Sequence, residues 1–164
     1  MKIFGSRVQQ PSALKKLITE RLWPATHEDA IQQNGDPRIS TERVRLLIPT
    51  EDQIFLYPDP SMTLAAEHEA SRKRIGDTEY FAAYDRTLKQ IDPKLALFIA
   101  DFGPGSDAPI ALDFRSNSED PPVIGLTWDG FQLGEGFHQW VQLAASFSDF
   151  VRVLDLKQLT KFKR

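Results

Sequence analysis

The sequence predicts an α+β fold: a mostly antiparallel sheet flanked by helices, in one domain spanning residues 1–164. Three observations predict it. Segments with apolar residues at three- and four-residue spacing dominate the first part of the chain, four β-type runs follow between 95 and 145, and one further helical segment closes it. The runs are joined by short polar stretches, which suit antiparallel neighbours. Helices grouped apart from strands indicate α+β rather than alternating α/β.

The first predicted helix runs from Ser12, a capping residue, to Trp23, with Leu14, Leu17, Ile18 and Leu22 on one face and Pro24 as its stop. Residues 25–41, with Asn34-Gly35 and Asp36-Pro37, read as loop. Val44–Pro49 and Ile54–Tyr57 read as short strands, and Thr50-Glu51-Asp52 between them suggests a hairpin. After Pro58-Asp59-Pro60, two helices are predicted. One covers Met62–Ile75 and stops at Gly76; the other covers Thr78–Ile91, with Phe81, Tyr84, Leu88 and Ile91 along one face and Asp92-Pro93 at its end.

Leu95–Phe102 is almost continuously apolar, as a strand covered on both faces would be. Pro109–Phe114, Val123–Trp128 and Gln139–Ala145 are the other predicted strands. The last helix, over about 147–155, starts after Ser146. Ser146 and Asp149 approximate a capping box, and Phe147, Phe150, Val151 and Leu154 form its apolar stripe.

Composition excludes several classes. Hydrophobic residues are 41% and charged residues 26%, which is ordinary for a globular chain and not for a disordered one. Cysteine is absent, so disulfides, thiolate zinc sites and cysteine nucleophiles are excluded together. The amino-terminal residues lack the apolar stretch of a signal peptide, and no run is long enough to span a membrane, so a cytoplasmic protein with no membrane partner is expected. A net charge of −3 argues against general nucleic-acid binding. The charge is uneven: residues 92–136 hold eight acids against Lys94 and Arg115, a balance of −6, whereas 137–164 hold five bases and two acids, a balance of +3.

No motif assembles a catalytic set. Gly103-Pro104-Gly105-Ser106-Asp107 follows a strand, but Pro109 and a β-type run come next instead of the helix that a dinucleotide or phosphate loop needs. Gly103, Gly105, Ser106 and Asp107 therefore read as a structural turn, with Gly105 expected at positive φ. Asp101-Phe102-Gly103 matches a kinase triplet by chance, since no His-Arg-Asp loop accompanies it. His27, His68 and His138 are too scattered to suggest a metal site, and no metal or cofactor is expected. Asp101, Asp107 and Asp113 lie near strand ends, where carboxylates can bind a divalent cation or act as acid and base; the preferred reading is structural, with Asp107 capping the turn and Asp113 on a polar strand face. Trp128 reads either as core packing or as a rim aromatic beside the loop 129–139.

The run LFIADFGPGSDAPIALDFR, then PPVIGLTW, then WVQLAASFSDFVRVL, resembles the SUKH superfamily over residues 95–154. That superfamily includes a yeast cell-wall-synthesis regulator and many bacterial immunity proteins. The resemblance implies a sheet flanked by helices that binds a protein partner, typically a secreted toxin and often a nuclease, with no catalytic residue.

Three functions follow as expectations: a toxin-neutralising binder, a scaffold or regulator in cell-wall or signalling work, and a small hydrolase using Asp101, Asp107 and Asp113. For the first, a basic nuclease surface would meet an acidic face. Glu119, Asp120, Asp129 and Glu135 supply candidate charges, and Trp128, Phe131 and Phe137 candidate apolar anchors, with Gly130, Gly134 and Gly136 among them.

Overall fold

A computed structural model describes residues 8–76, 79–103, 108–129 and 137–163. The elements are α1 (Ser12–Thr19), α2 (His27–Gly35), α3 (Thr41–Leu47), β1 (Phe55–Leu56), α4 (Leu64–Ile75), α5 (Glu79–Leu88), β2 (Ala96–Asp101), β3 (Pro109–Asp113), β4 (Val123–Asp129), β5 (Phe137–Ala144) and α6 (Phe147–Val153). The five strands form one antiparallel sheet in the order β1-β2-β3-β4-β5. The fold class is therefore the α+β arrangement that the grouping of elements predicts.

Side-chain alternation along the strands builds a core on each face of the sheet. Leu97, Ile99, Ile110, Leu112 and Val123 face Leu14 and Leu17 of α1, Val44 of α3, and Phe147, Phe150 and Val151 of α6. Ala96, Phe98, Ala111, Ile124, Leu126 and Trp140 face Leu64 of α4 and Tyr84 of α5. β2 can be apolar up to its last residue, Asp101, because it is covered on both sides; every residue from Ala96 to Asp101 is buried. Leu88 and Ile91 pack on the second core as their spacing predicts. The side chain of Phe81 lies outside the described residues.

The first third of the chain corrects several expectations. Residues 25–41 are not all loop. α2 occupies much of that stretch, started by a capping box in which the Thr26 side chain accepts from the Asp29 N–H and the Asp29 carboxylate accepts from the Thr26 N–H. Val44–Pro49 is not a strand and there is no hairpin: Ser40 caps α3, and Val44 is its buried contact. Apolar density mimicked β propensity there, whereas a short helix needs only one buried side chain to anchor it. β1 instead pairs with β2, Phe55 opposite Asp101. α1 ends at Thr19 rather than Trp23, because Arg21 turns to φ 61°. Ser12 is its first residue, with Pro11 at the capping position and no side-chain cap bond. Gly76 does end α4, at φ 93°, where a side chain would be strained.

Each outer strand meets a glutamine. Leu56 on β1 donates its N–H to Gln33 Oε1 at 3.0 Å and accepts from Gln33 Nε2 at 2.6 Å. At the other side of the sheet, Trp140 on β5 donates its N–H to Gln90 Oε1 at 2.9 Å.

Candidate protein interface

Antiparallel pairing decides which candidate residues can meet. Consecutive connections in an up-and-down sheet leave from opposite ends. Asp101 lies opposite Pro109 and Asp113 opposite Ala96, so the two aspartates sit at opposite ends of the β2–β3 pair, on the order of 15 Å apart at about 3.4 Å per residue. Asp101 is buried, and its Oδ1 accepts the Gly103 N–H at 2.8 Å, closing the start of the turn. Asp113 is also buried, but it is held in a two-pronged ion pair with Arg115, whose Nε and Nη2 approach its oxygens at 3.0 and 2.7 Å. The Asp113 carboxylate in turn raises Arg115 above the ordinary guanidinium value. Gly105, Ser106 and Asp107 lie outside the described residues.

The same geometry divides the four acids expected to form one docking face. Glu119 and Asp120 belong to the β3–β4 connection, while Asp129 ends β4 opposite Phe137. Six residue steps along β4, roughly 20 Å, separate the two ends. Glu119 and Asp120 are therefore set apart from Asp129 by the length of β4, and Glu135 lies outside the described residues. Asp120 is also engaged within the fold. Its Oδ1 accepts the Ser148 N–H in the first turn of α6 at 2.9 Å, and Asn117 Oδ1 accepts the N–H groups of Glu119 and Asp120. Glu119 is exposed.

At the other end, the strand pairs Asp101–Pro109 and Asp129–Phe137 lie on the same side of the sheet, because Ile110 pairs with Gly125. The connections carrying Gly103–Asp107 and Asp129–Phe137 thus leave from a common end. Trp128, Asp129 and Phe137 are placed there by their backbones; Gly130, Phe131, Gly134, Glu135 and Gly136 lie outside the described residues. Of the other tryptophans, Trp23 and Trp140 are both core residues. Trp23 donates Nε1–H to the Tyr57 carbonyl at 2.9 Å, and Trp140 points Nε1 at Thr87 Oγ1 at 3.3 Å.

One polar cluster was missed by sequence reasoning. His68 on α4 is buried, its Nε2 is 2.6 Å from Asp85 Oδ1 on α5, and Arg72 pairs with Asp85 Oδ2. Burial alone would raise the Asp85 carboxyl, but hydrogen bonds from His68 and Arg72 hold it below the usual carboxylate range. The signal lay in His68 and Arg72, four residues apart on one helical face, with Asp85 on the next helix. The cluster pins α4 to α5. Among the described residues, no group of three histidine or acidic side chains is placed to hold a metal ion, and no helix is long and apolar enough to cross a membrane.

No family model, curated protein or solved structure matches the chain.

Proposed function

We propose that this chain is a non-catalytic protein-binding domain of SUKH type, an immunity protein that neutralises a cognate bacterial toxin in the cytoplasm. The observation that carries the reading is the common end of the sheet described above. It is where the β2–β3 connection and the β4–β5 connection, the latter flanked by Trp128, Asp129 and Phe137, both leave the sheet, while the sheet faces are occupied by core. Loops at strand ends can vary to fit a partner without disturbing the layers beneath. The separation of Asp101 from Asp113 removes support from the hydrolase alternative.

Co-expression with the product of the adjacent gene is the test. A stable complex, together with rescue of growth when that product is toxic, is expected. Failure of this chain to bind or protect against that product would sink the immunity reading.

A further inference from the structure

The carboxy-terminal segment is tied to the body of the protein, and an open cleft lies beside it. Phe162 is buried, donates its N–H to the Arg21 carbonyl at 2.9 Å, and lies with its ring centroid 3.8 Å from Cζ of Arg38. Gln32 Nε2 donates to the Lys163 carbonyl at 3.4 Å. Gln32, Asp36, Arg38, Thr160, Lys161 and Lys163 line a cleft of about 490 Å³. The lining residues include one arginine, two lysines and one aspartate, an excess of +2 that the buried Asp29 near Arg38 offsets in part.

Arg38 is short of acceptors. Its Nη1 donates to the Leu22 carbonyl at 3.4 Å, and its Nη2 is shut off from solvent with no acceptor at all. Buried donors of this kind ordinarily have partners. Burial lowers the guanidinium from its ordinary value, while Asp36 and Asp29 oppose that shift. A wall with surplus positive charge complements an oxyanion, and the Arg38 fork, once turned toward the cleft, would add donors for its several oxygens.

We propose that this cleft binds a small phosphate-bearing molecule, with phosphoryl oxygens on Arg38 and between Lys161 and Lys163. The volume falls in the range of small-molecule sites and exceeds one phosphate, which leaves room for a polar body. The one aromatic ring in the wall, Phe162, is already covered by Arg38, so the cleft favours a sugar phosphate over a ligand that needs base stacking. Engaging Nη2 takes a rotation of the guanidinium plane, because that atom is covered in this conformation. The site does not rest on the protein-binding proposal.

Amide spectra of the full chain, titrated at low ionic strength with inorganic phosphate and with ribose 5-phosphate, test it. Saturable shifts at Arg38, Thr160 and Lys161 are expected, with ribose 5-phosphate binding at least as tightly as phosphate. Lys161→Gln/Lys163→Gln changes exposed side chains and should preserve the fold while weakening binding about tenfold or more; raised salt should weaken it as well. Arg38→Lys keeps the charge but loses the fork, and binding should fall further. If Arg38→Lys fails to fold, the lysine pair decides. The proposal is overturned by the absence of saturable shifts up to about 20 mM, a range that includes weak millimolar sites. It is equally overturned by native-like binding in the lysine variant, or by a triglutamate peptide binding more tightly than either phosphate.

Discussion

Single side chains in this protein are occupied mostly by local hydrogen bonds, and this changes how the acidic stretch is understood. Asp92 caps Lys94, Asp101 closes a turn, Asp113 grips Arg115 and Asp120 holds the start of α6. Sequence counting could find the surplus of acids but not these partners, which depend on two to thirty residues of intervening geometry. Asp85 gives a pH signature. Its folded pKa is depressed, so its stabilising effect is present above the unfolded value of about 3.9 and is lost as pH falls through the lower folded value. Asp85→Asn should therefore be less stable than the native protein near neutrality, and the gap should close in acid. Urea unfolding of both proteins across that range reads it; a constant gap would show that the carboxylate charge is irrelevant to the pin.

At the scale of elements, legibility followed burial. β2 to β5 and α4 to α6 announced themselves because their apolar pattern reflects a core on one or both sides. α2 and α3 did not, since α2 buries two polar side chains, Asp29 and Gln33, and α3 buries only Val44. The Thr26-x-x-Asp29 spacing was a readable start signal for α2 that the asparagine and glycine at its far end obscured. α6 is the opposite case. Phe147 and Phe150 are both fully buried, and their rings lie 6.1 Å apart. Phe150→Ala should cost about 3–5 kcal/mol, measured by chemical denaturation. A cost below about 1 kcal/mol would mean that α6 is not part of the cooperative core.

At the scale of the molecule, topology limits where a partner can sit. Glu119 and Asp120 lie at one end of β4 and Asp129 at the other, so each end can be tested alone. Asp129→Lys/Glu135→Lys should slow association with a basic partner at low salt, and the effect should shrink as salt rises. Glu119→Lys, at the far end, should leave the rate unchanged. Asp120 is unsuitable for charge reversal, because a lysine there would also release its bond to α6. If Glu119→Lys slows association and the other pair does not, the docking end is reversed.

The glutamines that meet the two outer strands bear on how the protein behaves when crowded. An outer strand offers unpaired amides and carbonyls to any passing chain, and proteins commonly guard such positions with charge. Here an uncharged side chain occupies the backbone groups of Leu56 and the amide of Trp140. A carboxamide neither titrates nor is screened, so this protection against self-association should persist in acid and in high salt, where lysine gatekeepers weaken. The two guards differ in chemistry. Gln33 both donates and accepts, so Gln33→Glu loses the donor and sets an oxygen against the Leu56 carbonyl, at a cost of about 1–3 kcal/mol. Gln90→Glu keeps the acceptor for Trp140. Light scattering at rising concentration should show more association in Gln33→Glu than in the native protein, and no such rise in Gln90→Glu, which makes Gln33 the position where a single deamidation would make the protein stickier.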